Sequence, residues 1–175
     1  CSYGDDKGIF GYGEGPLSIT NLISNVGVAS TDVTGVGTAR TLLQACEYGG
    51  DKGIFAYGND GSLTALSNLV SNAGVVATDV TGVGTARSYL AACSYGDDKG
   101  IFGYGNSGPA VSITNLVSNA GVVATDTTGV GTARNSLGAT QYGEDKGIFG
   151  YGTTGSLVSM TNLVSNAGVV GTDVT

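Results

Sequence analysis

The pattern DKGIFxYG occurs four times, with its lysine at Lys7, Lys52, Lys99 and Lys146, so this chain must fold as repeated copies of one small unit. Successive lysines are 45, 47 and 47 residues apart. A second block, NLVSNAGVVATDVTGVGTAR in its fullest form, follows each copy and starts at Asn21, Asn68, Asn115 and Asn162. Asn21, Asn68 and Asn115 each lie 19 residues before an arginine, and each of those arginines lies 12 before the next lysine. Only one segment varies in length, reading EGPLSIT, NDGSLTALS, NSGPAVSIT and TTGSLVSMT. The 175 residues form a single repeat domain, divided as 1–38, 39–85, 86–132 and 133–175.

Composition narrows the function classes. The net charge is −7, which argues against a nucleic-acid partner, since phosphate contacts need clustered Lys and Arg. All seven basic residues and eight of the fourteen acids sit at repeat-locked positions, so the scaffold itself is nearly neutral. The acidity comes from Asp5, Glu14, Glu47, Asp60, Asp97 and Glu144. No apolar run approaches the ~18 residues of a membrane-spanning helix, so no membrane partner is expected. Glycine is abundant, 32 residues against two prolines, without the every-third spacing of collagen, and signals many tight turns. The chain opens on Cys1 without a methionine or a leader pattern and reads as a processed product or a segment of something longer.

Within one repeat the pattern predicts four short strands, at 85–95, 99–105, 112–118 and 122–128. In the second, period-2 alternation places Phe102 and Tyr104 on one face and Ile101 on the other. Asn119-Ala120-Gly121 reads as a hairpin turn, and the β-branched run after it as a poor helix. A helix over 62–74 would be broken by Asn72 and Gly74. The chain is therefore expected to be all-β. Four antiparallel strands in about 47 residues match a β-propeller blade better than a parallel solenoid, whose coils take about 20–30 residues. The hairpin turns fall at one end of each unit, and the variable loop and TGVGTAR connection at the other.

GTARSYLAACSYGDDKGIFGYG resembles the kelch repeat, in which an arginine leads an inner strand and an aliphatic-aromatic strand ends in glycines. It is similar, more weakly, to the chromosome-condensation-regulator propellers. The strand here ends Tyr-Gly instead of carrying a Gly-Gly doublet, and tryptophan is missing. The near-identity of the copies also resembles repeat arrays of viral and environmental fibre-like proteins, which implies an extracellular or virion setting.

A closed four-bladed ring from this chain would contain one three-stranded blade with an open edge. The expectation is therefore a larger array, or self-association into a homo-oligomer, made easy by near-identical units.

Each motif has a functional and a structural interpretation. The G-x-G of GVGTAR lacks the following helix that phosphate binding requires, so it reads as a tight connection. Asp32 with Arg40, Asp79 with Arg87 and Asp126 with Arg134 form either a charged ring for a ligand or, as favoured, structural ion pairs. Asp97-Asp98-Lys99 lacks the ligand set of a calcium loop and reads as a solvated turn. Cys1, Cys46 and Cys93 share one repeat position with Thr140 and read as small buried filler, not as a disulfide or metal set. The repeated Phe and Tyr read as packing between units, with the tyrosines nearer a rim.

Histidine is absent, and every candidate nucleophile or carboxylate recurs in nearly every repeat, whereas an active site needs one distinctive constellation. No catalytic residue, cofactor or metal is expected. The leading expectation is a non-enzymatic structural and binding scaffold that recognises a protein or glycan partner. Specificity would lie in the loops 14–18, 59–65, 106–111 and 153–158, through Glu14, Asn59, Asp60, Asn106, Ser107, Thr153 and Thr154. The alternatives are an intracellular adaptor propeller and a glycan-active enzyme on a propeller scaffold.

Overall fold

A computed structural model describes residues 1–175 and contains strands, turns and no helix. Each repeat forms one antiparallel sheet of three strands in chain order. The first holds β1 (Ser2–Tyr3), β2 (Lys7–Gly11) and β3 (Thr20–Ile23). The second holds β4 (Gln44–Tyr48), β5 (Lys52–Ala56) and β6 (Ser67–Val70). The third holds β7 (Ala91–Tyr95), β8 (Lys99–Gly103) and β9 (Thr114–Val117). The fourth holds β10 (Gly138–Tyr142), β11 (Lys146–Gly150) and β12 (Thr161–Val164). Register repeats with the sequence: Cys46 faces Ile54 across β4–β5 as Cys93 faces Ile101 across β7–β8.

The expected fourth strand is not a strand. Residues 122–128 run beside β9 but join it only at the bridges Val117–Val123 and Thr114–Thr127. Between those bridges the outer segment takes four steps where β9 takes three, so it carries one extra residue as a bulge. The Asn115 amide fills the gap, donating to the Ala124 carbonyl at 3.0 Å and to Asp126 at 2.9 Å. The same pair of bridges and the same offset recur beside β3, β6 and β12. The first strand is also shorter than expected, because Tyr89 adopts φ +53° and the extended run begins only at Ala91.

A second correction concerns faces. Tyr104 sits at φ +61°, a left-handed conformation uncommon for a bulky residue, immediately after β8 ends at Gly103. That kink throws its ring to the face opposite Phe102. Phe102 packs toward the second sheet, in one cluster with Cys46, Ile54 and Tyr57. Tyr104 joins Ile101 against Leu137, Phe149 and Val164 of the fourth sheet. Tyr12, Tyr57 and Tyr151 share the conformation.

Every sheet therefore has a head face bearing Phe and a tail face bearing Tyr and Ile, and the core lies between sheets. Sheets stack in chain order, tail to head, through three such layers. Neighbouring sheets approach most closely along their first strands, β4 on β7 and β7 on β10, and no comparable contact joins the fourth sheet to the first.

Candidate functional site

Two ends of the stack differ in kind. At the hairpin end, the Asp98 carboxylate takes the Lys99 ammonium at 2.7 Å and the Asn119 amide at 3.0 Å, tying the first turn of the sheet to its second. Those donors, from Lys99 first, hold the Asp98 carboxyl below its ordinary range. Gly49 and Gly96 donate their backbone N–H groups to the backbone carbonyls of Asp98 and Asp145 in the following sheet at 2.7 Å, which links the turns into a row. This end is stitched together by side chains within each sheet and by backbone bonds between sheets.

At the opposite end lies a polar network built on a buried arginine and asparagine in each of the three inter-sheet layers. Arg87 is fully buried, and its guanidinium lies 4.1 Å over the Tyr57 ring of the preceding sheet. Its Nε donates to the Tyr104 carbonyl (2.8 Å), one terminal nitrogen to the Thr85 carbonyl (3.0 Å) and the other to Asn115 Oδ1 (2.7 Å). Asp126 in turn accepts the Thr85 N–H and hydroxyl, the latter at 2.6 Å, and the Asn115 amide. Burial raises the Asp126 pKa, and the Thr85 and Asn115 donors with the nearby Arg87 charge outweigh it, leaving the carboxyl below its usual value. The Tyr104 hydroxyl donates to the Val130 carbonyl at 3.1 Å. Arg40 and Arg134 sit in matching networks over Tyr12 and Tyr104.

The ion-pair candidates other than Asp32 fall in these networks, with partners other than those expected. Arg40 approaches Asp79, and Arg134 approaches Asp173, each at 3.8 Å. The TGVG connection carries each arginine into the next sheet, away from the aspartate just before it in sequence. Asp32 meets no arginine and accepts from Asn21 at 2.9 Å. Sequence reasoning missed Asp173 as a partner, and with it Thr38, Thr85, Thr132 and the asparagines Asn68, Asn115 and Asn162. Their invariance among repeats was the available signal.

The network also shows what the GVG turn does. Gly84 has φ +77°, and a Cβ there would lie 2.3 Å from the Asp126 carboxylate. The turn cradles an anion, and that anion is the protein's own side chain. With all three guanidinium nitrogens of Arg87 and both Asp126 oxygens bonded inside the protein, the network acts as a structural clamp, with Asp126 on its exposed rim. Tyr12, Tyr57 and Tyr104 are correspondingly buried between sheets and not placed at a rim, whereas Tyr151 on the uncovered face of the fourth sheet is exposed. The three cysteines are free thiols, and burial pushes Cys93 up to about 12 and raises Cys46 as well.

The variable loops ride above the clamp. Asn59 Oδ1 accepts the Gly61 N–H at 2.8 Å, Asn106 Oδ1 the Gly108 N–H at 2.9 Å, and Thr153 Oγ1 the Gly155 N–H at 3.1 Å. These three side chains shape their own turns. Ser107 is half-buried and reaches the Pro109 carbonyl, while Glu14, Asp60 and Thr154 are exposed. The structure thus brings the loop residues to one end of the stack without gathering them into a single pocket. No protein-family model matches the sequence, and no curated protein matches it.

Proposed function

We propose that the chain is a non-enzymatic, kelch-like repeat scaffold, an arc of β-propeller whose loops 14–18, 59–65, 106–111 and 153–158 recognise a protein or glycan partner. One observation carries the reading: length variation is confined to loops standing on a clamp whose arginine is buried and bonded within the protein. Such loops can change without disturbing what holds the sheets. The propeller geometry is supported by the close approach of successive first strands, as expected of inner strands grouped about an axis.

The test replaces 59–65, 106–111 and 153–158 by Gly-Ser segments of equal length and compares both proteins on glycan and peptide arrays. Binding by the parent, lost in the variant with an unchanged thermal midpoint, is the expected result. Binding that survives replacement, or a parent that binds nothing, overturns the reading. Small-angle scattering tests the arc, for which a straight rod of sheets would be the wrong shape.

A further inference from the structure

The three internal layers show what each sheet face is built to receive, and one face of each kind is left uncovered. Phe55, Phe102 and Phe149 are buried against the tyrosine of the preceding sheet, at ring-centroid distances of 5.2, 5.5 and 5.2 Å. Phe10, the head-face equivalent on the first sheet, is 71% exposed, and Tyr151, the tail-face equivalent on the fourth, is 65% exposed.

The remaining contacts are split in the same way. Internally, the rings of Tyr3, Tyr48 and Tyr95 lie against Gly74, Gly121 and Gly168 of the next turn. Their counterpart Tyr142 is exposed, and Gly27 has nothing near it. Cys1, Cys46 and Cys93 meet Gly53, Gly100 and Gly147, whereas their counterpart Thr140 lies exposed beside Tyr151 in an open groove. The Gly4, Gly49 and Gly96 N–H groups bond across the layer, and the matching Gly143 N–H does not.

We propose that a second copy of this chain covers this face, seating its Phe10, Gly8 and Gly27 on Tyr151, Thr140 and Tyr142 of the first. The inference rests on reading the chain as a stack of equivalent sheets and makes no use of the loops or their ligand. The contact is heterologous, so copies add head to tail until their rotation closes a ring or continues as a fibre. It lacks the arginine that enters every internal layer, which makes it the weakest layer of the assembly. The two copies also repel through their net charge of −7, so added salt strengthens the contact.

The experiment measures the mass of the 175-residue chain by sedimentation from about 1 to about 100 μM. Mass that rises with concentration in whole multiples of 17.3 kDa is expected. Phe10→Asp and Tyr151→Asp, both at exposed positions, are each expected to be monomeric with unchanged circular dichroism. Mixed in equal amounts they should form a dimer and nothing larger, because each retains one intact face. If either variant folds poorly, Phe10→Ser and Tyr151→Asn take their places. A parent that stays monomeric throughout overturns the proposal, as would be the case if that face were reserved for a further repeat of the same chain. Variants that assemble like the parent, or a mixture that stays monomeric, overturn it too. Loss of array binding in the loop variant leaves this outcome untouched, so the two readings fail separately.

Discussion

The layer between the second and third sheets and the bare head of the first sheet present nearly the same residues in opposite circumstances. Phe102 is 0% exposed, with Tyr57 beneath it and Leu90 and Val117 beside it, while Phe10 in the same KGIFG strand faces solvent. No single sheet has a core of its own. Burial is created by a neighbour, so stability behaves as a sum of layers and not of repeats. The residue type is repeated, but its energetic value depends on which sheets flank it.

The sharpest way to break that comparison is one truncation made twice. Phe102→Ala empties a closed layer and is expected to cost about 3–5 kcal/mol in urea unfolding. Phe10→Ala, followed at dilution where copies are apart, should change stability by less than about 0.5 kcal/mol. Equal losses at the two positions would mean that sheets carry their own cores.

The clamp gives the next contrast. Asn115→Ala takes a partner from the buried Arg87 and from the Ala124 carbonyl at once, for a loss of about 2–3 kcal/mol. Asn21, whose neighbour Asp32 meets no arginine, should lose about 1 kcal/mol or less on the same change.

Acid tests the clamp together with the turn aspartates Asp6, Asp51, Asp98 and Asp145, whose carboxyls the adjacent lysines also hold low, and Asp126→Asn separates the two. Asp79, Asp126 and Asp173 have carboxyls held below their ordinary value, so the folded state binds fewer protons than the unfolded chain. Their stabilisation is complete above the unfolded carboxylate pKa of about 4 and is lost as pH falls through the lower folded values. Glu47, raised chiefly by burial, works in the opposite direction, but alone. Thermal midpoints should stay level from about pH 7 to about pH 5 and fall below about pH 4. Asp126→Asn should flatten that acid limb, and an unchanged limb would remove the clamp from the account.

Much of this was readable from the repeat. The 19- and 12-residue intervals located the turns, the all-β class and the single variable loop, because turn chemistry and period-2 patterning are local. What escaped depended on side-chain contacts between residues distant in the chain. Nothing local marks Tyr104 as left-handed. Its conformation accompanies the carbonyl that Arg87 grips and the ring that Phe149 covers, but Tyr12 keeps it without the first contact and Tyr151 without the second. The bulge beside β9 is set by the Asn115 amide, not by the β-branched run that suggested a strand. Three arginines and four aspartates complete either pairing, with the aspartate eight residues before each arginine or with the one 39 residues after it, so counting could not choose between them.

The smallest expected effect is the finest probe of how tightly a layer is filled. A Cβ on Gly103 would lie 2.6 Å from the Phe149 ring, yet the second repeat carries Ala56 at that position and still buries Phe102. It does so with the aromatic pair at 5.5 Å, against 5.2 Å in the layers with glycine. Alanine in a strand gains about 0.5–1 kcal/mol over glycine through the unfolded chain, and displacing the ring returns a similar amount. Gly103→Ala is therefore expected to leave stability within about 0.5 kcal/mol of the parent. At Gly150 the new methyl meets only Thr161 Cγ2 at 3.4 Å, so Gly150→Ala should raise stability by about 0.5–1 kcal/mol in dilute protein. Equal gains at both sites would show that phenylalanine does not press on the glycine. A loss above about 2 kcal/mol at Gly103 would show that Ala56 depends on adjustments the other layers lack.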